Sequence, residues 1–117
     1  MFECQQRDQC GFVVDFGELK WLKAWLDEHF DHTLLLPPGD PLMPLFEQLE
    51  EEGAAKIVTL PYGVGMEDTA EFVCEYADAE LRQRTKGRCW VVSVESRENE
   101  KNSGSYHNPE AGFKGWL

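Results

Sequence analysis

Asp31 and His32 stand side by side in the first third of the chain, and their side chains are suited to proton transfer. A carboxylate next to an imidazole can fix the tautomer of the ring and raise its basicity. Adjacent residues do not automatically face each other, so geometry has to confirm the pairing. The same two residues would also suit the end of a helix, where a histidine interacts favourably with the negative end of the helix dipole.

Histidine and cysteine, the residue types that most often bind zinc, are few in this chain. His29 and His32 lie three residues apart near the end of one predicted helix, and a three-histidine zinc site would need His107 to join them. Solvated surface histidines are the simpler interpretation, and we assign no metal ligand. The cysteines fit neither a CxxC motif nor a zinc ribbon, and in a reducing compartment such residues are mostly buried hydrophobes. They are Cys4, Cys10, Cys74 and Cys89.

The first half of the chain is predicted to position Asp31 and His32 at a helix end. Asp15 is a predicted N-cap, with Glu18 completing a capping box, and apolar residues at helical spacing predict a helix over residues 16–29. Residues 37–41 contain three prolines and break the pattern. We expect a second helix over residues 41–52, a short strand over 56–60 and a loop over 61–65.

The second half is predicted to contain a helix followed by two strands. Asp68 begins the helix with a capping pattern that Glu71 completes, and Gly87 is a plausible C′ residue at its end. Residues 89–96 alternate as a strand, residues 102–104 form a turn, and a return strand begins at 105–107. This order predicts an α+β fold, with an antiparallel strand pair and helices on one face. The tail, including Phe113 and Trp116, could pack against the body or a neighbouring subunit.

Composition restricts the kinds of partner. With 117 residues the chain is expected to form a single domain, residues 1–117, and its net charge of −11 argues against binding nucleic acid or an anionic membrane. No apolar run approaches the length of a membrane span, and the polar N-terminus does not resemble a signal peptide. We therefore expect a cytoplasmic protein.

Four segments, in order, resemble the family of 6-pyruvoyl-tetrahydropterin and 6-carboxytetrahydropterin synthases. Residues 12–20 resemble the start of that family's first long helix, and residues 30–35 resemble its Asp-His motif. Residues 58–61 with 68–71 resemble the Pro-Thr-Ala-Glu helix start, although Met66, Glu67 and Asp68 replace the usual Asn-Pro. Residues 98–106 resemble the glutamate-led turn between the last two strands.

The resemblance implies a T-fold, a four-stranded antiparallel sheet with two helices on one face, whose subunits join through their sheets into an oligomer. It implies pterin sites between subunits and Asp31 and His32 as catalytic residues, supporting a cysteine base. It also implies that Glu98 anchors the pterin, because a carboxylate can accept the paired N–H donors of that ring. We prefer Glu98 to Glu95 for its spacing to Tyr106, although a solvated turn glutamate is the alternative.

Thr69 and Glu71 match the helix start that helps to hold the pterin, and helix capping alone would also explain them. The family uses Zn²⁺ held by three histidines, and the His-Gly-His segment and catalytic cysteine of its first two strands have no counterpart here. The N-terminal hairpin is therefore predicted to be shortened or missing.

Two functions follow from the resemblance. The chain is expected to be a carbon–oxygen lyase acting on dihydroneopterin triphosphate, in pterin or queuosine (deazapurine) biosynthesis. Alternatively, it is a non-catalytic, truncated T-fold module that binds a pterin-like or purine-like ligand or self-assembles. A small acidic partner-binding domain, unrelated to pterins, is the third possibility.

Overall fold

The strands and helices follow one another in a mixed order. A computed structural model describes residues 1–114, so the predicted packing of Trp116 lies outside the described residues. The elements are β1 (Phe2–Cys4), a 3₁₀ turn (Phe16–Leu19), α1 (Lys20–Phe30), β2 (Leu34–Leu36), α2 (Met43–Glu51), β3 (Ile57–Thr59), α3 (Met66–Arg84), β4 (Cys89–Val91), β5 (Ser93–Arg97) and β6 (Ser103–His107).

The predicted α+β class and the antiparallel pair at the C-terminal end are confirmed. β5 pairs with β6, with Val94 opposite Tyr106, and β4 pairs with β1. The single predicted strand over residues 89–96 is two strands separated by Val92, whose N–H donates to Met1 O at 2.8 Å. One continuous stretch of chain therefore pairs with the N-terminal strand first and with β6 second.

A parallel pair was not predicted. β2 and β3 lie side by side, with Leu35 opposite Val58, and α2 connects them. β2 contains three leucines, Leu34–Leu36, of which Leu36 is buried. A three-residue apolar run is too short to separate strand from helix by periodicity, which explains why this strand was missed.

The core lies between α3 and β4. Cys74, Ala77 and Leu81 on α3 pack with Cys89 and Val91, and all five are almost fully buried. The helix side chains recur at intervals of three or four residues, which places them on one face of α3. This packing fixes α3 against the strands, and α1 lies beside it, with Trp25 stacked on Tyr76 at 4.2 Å between ring centroids.

Both ends of α3 differ from the sequence prediction. The helix begins at Met66, two residues before the predicted start, and Asp68 accepts a hydrogen bond from Gly65 N–H at 3.3 Å instead of acting as the N-cap. At the other end, Gly87 N–H donates to Arg82 O at 2.7 Å, and Lys86 has a φ of 54°. This is the hydrogen-bond pattern of a Schellman motif, in which Lys86 takes the C′ position predicted for Gly87.

Asp78 connects α3 to the strands. Its carboxylate accepts the Val91 N–H at 2.9 Å and the Arg82 Nε–H at 3.0 Å. Arg82 in turn donates to the carbonyl oxygens of Glu110 and Gly112, which holds the C-terminal segment against the helix. The pair is mostly shielded from solvent, with side chains 17% and 13% exposed for Arg82 and Asp78.

Gly104 brings β6 into close contact with the start of α3. A Cβ atom at this position would lie 2.9 Å from Met66 Cβ and 3.0 Å from the Glu67 backbone nitrogen. These distances are shorter than van der Waals contact, so a residue without a side chain is required here. The contact sets the position of the β5–β6 hairpin relative to the N-terminal turns of α3.

Candidate functional site

A cavity of about 680 Å³ lies where α1, α3 and β5 meet. Its size falls within the range of small-molecule sites, roughly 300–1,000 Å³. Most of its lining side chains are apolar, and a few are polar or acidic. The lining consists of Leu26, Asp27, Phe30, Asp31, Leu35, Val64, Met66, Thr69, Ala70, Val73, Val94, Glu95 and Ser96.

The α1 side of the cavity contains two carboxylates. Asp27 lies in the last turns of α1, and Asp31 is the C-cap residue four positions later, with an extended backbone. Lys23 Nζ donates a hydrogen bond to Asp27 at 2.8 Å, and this hydrogen bond together with the charge of Asp27 raises the pKa of Lys23. Asp31 has no lysine or arginine partner within residues 1–114. It is the α1 carboxylate available to a ligand.

Glu95 is the acidic residue that β5 contributes to the cavity lining. It lies in the middle of β5, lines the cavity, and forms an ion pair with Arg97 two residues away. Its side chain is 45% exposed, so it is accessible from solvent. With Asp27 and Asp31 it makes three carboxylates among the lining residues, which contain no basic side chain in the part of the chain described here.

Asp31 and His32 are close to one another but are not hydrogen-bonded. His32 Nε2 lies 3.6 Å from Asp31 Oδ1, and the side chains are 94% and 65% exposed, respectively. His32 has a φ of 53°, a left-handed conformation that ends α1. Its ring is not among the groups lining the cavity. The proton-transfer role of this pair therefore stays a prediction.

The structure brings some of the other predicted site residues together and separates the rest. Thr69 lines the cavity from the first turns of α3. Glu71, on the same helix, does not line it. The hydrogen bond with Glu75 raises the pKa of Tyr62 and burial raises that of Tyr106, and the charge of Glu71 adds to both. Of the five predicted site residues, Asp31 and Thr69 therefore share the cavity.

Glu98 lies outside the cavity on an exposed turn. Its N–H donates to Asn102 O at 3.0 Å, which closes the loop between β5 and β6. The loop spans residues 98–102. The turn predicted over residues 102–104 therefore lies earlier in the chain, because β6 already begins at Ser103. Glu95 lies within β5 and lines the cavity, whereas Glu98 lies in the loop that follows β5.

The buried cysteines are poorly suited to act as bases. Burial, with smaller effects from Asp78 and Glu75, raises the pKa of Cys74 to about 11. Burial also raises the pKa of Cys89, whose Sγ donates to Val13 O at 2.9 Å. A thiol with a raised pKa is mostly protonated near neutral pH and is a weak nucleophile. Neither cysteine lines the cavity.

The histidines do not form a metal site. His29 stacks on Trp25 at 4.4 Å between ring centroids, and its Nδ1 is 2.9 Å from Trp25 O. Within residues 1–114, no group of three His, Cys, Asp or Glu side chains is arranged to hold a metal ion. The described residues therefore do not fit a three-histidine zinc site.

The match to a family model decides how this chain is classified. A model described as 6-pyruvoyl tetrahydropterin synthase matches residues 1–109, nearly the whole of the chain. The chain belongs to the 6-pyruvoyl tetrahydropterin synthase family. The cavity between α1, α3 and β5 is thus a cavity in a member of that family.

Curated relatives agree with this family and cover part of the chain. A protein of Rickettsia conorii named 6-carboxy-5,6,7,8-tetrahydropterin synthase is 37% identical over 75 residues, which are 63% of this chain and 50% of that protein. The Rickettsia felis protein of the same name is 36% identical over 75 residues, with the same coverage. A Rickettsia bellii protein, also of that name, is 59% identical over 34 residues, or 28% of this chain and 25% of its own. The matched segments span half or less of these relatives.

A solved structure supports the fold. An uncharacterised protein from Wolinella succinogenes superposes with a TM-score of 0.75, covering 92% of this chain and 73% of that protein, at 23% identity. At this identity the similarity concerns the fold alone.

Among the described residues, no helix is both long enough and apolar enough to cross a membrane.

Proposed function

We propose that the cavity binds the pterin ring of dihydroneopterin triphosphate and that the chain is a tetrahydropterin-synthase-like protein. The observation that carries this proposal is that Glu95, an acidic residue of β5, lines the same cavity as Asp31. A pterin presents an adjacent ring N–H and amino group, and one carboxylate can accept both in a bidentate pair. The names of the Rickettsia relatives support a pterin ligand.

The shape and chemistry of the other walls fit a flat ring. Phe30, Leu35 and Val94 give the cavity apolar surface against which a heterocycle can pack. The Thr69 hydroxyl can donate or accept a hydrogen bond at the rim. Together these groups would hold the ring with its donor edge towards Glu95.

For the chemical step, Asp31 and His32 are the proposed proton-transfer pair. By resemblance, this pair would support the base that removes a proton from a carbon next to the forming carbonyl group, with Asp31 fixing the tautomer of the imidazole. Their distance of 3.6 Å has to shorten for this to happen. Glu71 and Glu98 are not assigned a place in the cavity, and a contact from them to a ligand held by a neighbouring subunit stays a prediction.

A second candidate function is suggested by the metal-binding residue types of the chain and by the lining of the cavity. The described residues provide no group of three metal ligands, and the cavity lining contains no thiol. Such a chain could bind a pterin-like or purine-like ligand without turning it over. This is the non-catalytic, truncated T-fold module predicted as the alternative.

Three measurements on one preparation test these proposals. Isothermal titration with a reduced pterin tests binding, elemental analysis measures zinc per chain, and product analysis after incubation with dihydroneopterin triphosphate measures turnover. Binding with zinc and turnover would support the enzyme, and binding without turnover would support the non-catalytic module. No pterin binding at millimolar concentration would contradict both.

Assembly and location follow from the proposed function. We propose a homo-oligomer, joined through sheet edges, and a cytoplasmic location. Exposed aromatic side chains support association, since Phe16 is 84% exposed and Phe12 is 51% exposed. Light scattering during gel filtration would measure the mass, and a monomer at all concentrations would contradict the oligomer.

A further inference from the structure

Cys4 and Cys89 are directly opposite each other in the antiparallel pair of β1 and β4. On one side of them, Gln5 N–H donates to Arg88 O at 2.9 Å, so that pair of opposed residues is hydrogen-bonded. In an antiparallel ladder, hydrogen-bonded and non-hydrogen-bonded pairs alternate. Cys4 and Cys89 therefore occupy a non-hydrogen-bonded position, where the Cα atoms are about 4.5 Å apart.

This spacing allows a covalent link between the two strands. Disulfides form when the Cα atoms are roughly 4.4–6.8 Å apart. Side chains of directly opposed residues lie on the same face of the pair. That face points to the core, since Cys89 is fully buried there and Cys4 packs against the same cluster. The two thiols are thus neighbours without any backbone rearrangement.

We propose that Cys4 and Cys89 form a thiol oxidation site, at which hydrogen peroxide produces a reversible disulfide between β1 and β4. Cys4 Sγ attacks peroxide, the O–O bond breaks, and Cys4 becomes a sulfenic acid with release of one water. Cys89 Sγ then attacks Cys4 Sγ, the S–O bond breaks, and the Cys89 proton leaves with the hydroxide as a second water. Two thiols are oxidised, and one peroxide is reduced to two water molecules.

The environments of the two cysteines set this order. Cys4 is half-buried, whereas Cys89 is fully buried and donates its S–H to Val13 O. The pKa of the Cys89 thiol is raised by burial, which makes Cys89 the slower of the two to meet peroxide. Formation of the disulfide breaks the hydrogen bond to Val13 and closes a loop that contains most of the chain. A loop of this length strongly restricts the unfolded state.

The tryptic map of this chain suits a direct test. Cleavage after Arg7 leaves Cys4 in a peptide without other cysteines, and cleavage after Arg88 and Arg97 leaves Cys89 alone in the peptide 89–97. The native protein would be treated with hydrogen peroxide, alkylated, digested and analysed by mass spectrometry. An equal mixture of ¹⁵N-labelled and unlabelled chains separates links within a chain from links between chains.

We expect one linked pair of these peptides, formed within a chain and removed by dithiothreitol. The link should persist in Cys10→Ser, the matched control with an exposed cysteine, and should be lost in Cys4→Ser. Oxidised Cys10→Ser should also melt about 5 °C or more above its reduced form. A link from Cys4 to Cys10, a link between chains, or oxidation of Cys10 without any Cys4–Cys89 link would overturn the proposal.

Discussion

Asp31, at the end of α1, and Glu95, in the middle of β5, line the same cavity. The position of α1 beside α3 and the packing of α3 on the strands bring them together from distant parts of the sequence. Two acidic residues in a mostly apolar lining can orient a flat ligand that carries N–H donors on its edge. The function proposed for this family member depends on that relationship.

The attachment of α3 to β4 should depend strongly on the hydrogen bonds that Asp78 accepts. In Asp78→Ala, the Val91 N–H and the Arg82 side chain lose their shared partner in a largely buried position. We expect the free energy of unfolding to fall by about 3 kcal/mol, because buried donors are left unpaired. Urea denaturation followed by circular dichroism measures the change.

Glu80→Ala is the matched control for this substitution. Glu80 also pairs with an arginine four residues later on α3, but the Arg84 and Glu80 side chains are 51% and 32% exposed. Exposed pairs of this kind contribute about 0.5 kcal/mol or less. Equal losses in the two variants would show that Asp78 does not anchor the helix.

The close contact at Gly104 predicts a steric penalty. A methyl group in Gly104→Ala would meet Met66 Cβ and the backbone of Glu67 at about 3 Å, and neither can move without shifting α3. We expect a loss of about 1–3 kcal/mol in the free energy of unfolding, as for other overpacked sites. Ser105→Ala, at the next and exposed position of β6, should change stability little. A stable Gly104→Ala would mean that the hairpin and α3 are not held this closely.

The raised pKa of Cys74 predicts a loss of stability at alkaline pH. The thiol titrates at about 11 in the folded chain against 9.0 for a free cysteine, so the unfolded chain loses its proton first. The protonated thiol makes its full contribution to the free energy of unfolding below pH 9. This contribution is lost as the pH rises towards 11, and the loss amounts to about 2 kcal/mol. Cys74→Ala should therefore lose less stability over this interval than the wild type.

Cys74→Ala also changes packing at every pH. The quantity to compare is therefore the slope of the free energy of unfolding against pH. Tyr62 and Tyr106 have raised pKa values as well and should leave part of the alkaline loss in place. Cys10→Ala, at an exposed position, should keep the wild-type slope. If Cys74→Ala and the wild type show parallel curves between pH 8 and pH 11, the buried thiol does not titrate as described.

Local sequence patterns predicted the helices well and their ends less well. Asp15 was predicted as an N-cap, and it accepts a hydrogen bond from Gly17 N–H at 2.9 Å. The turn that follows is 3₁₀, and α1 itself begins at Lys20, because apolar spacing does not separate a 3₁₀ turn from the first turn of an α-helix. The α3 start was misplaced by two residues, since an acidic residue at N3 resembles an N-cap in sequence.

The site was predictable in part. The spacing of α1 identified Asp31 as a residue at a helix end, and the structure places it at a cavity. The identity of the carboxylate on the facing strand depended on where the hairpin turns. Glu98, preferred for its spacing to Tyr106, lies on the exposed turn, and short-range patterns do not determine hairpin register when both strands have polar, exposed ends.

Glu95 is the residue on which the proposed pterin site depends most. We would titrate a reduced pterin into wild type, Glu95→Gln and Glu98→Gln by isothermal calorimetry, with circular dichroism to confirm that each variant is folded. Glutamine offers one acceptor and an opposing donor, so Glu95→Gln should weaken binding by about 10- to 100-fold, while Glu98→Gln, on the exposed turn outside the cavity, should weaken it less. Unchanged binding in Glu95→Gln, with binding lost in Glu98→Gln, would contradict the assignment of this cavity as the pterin site.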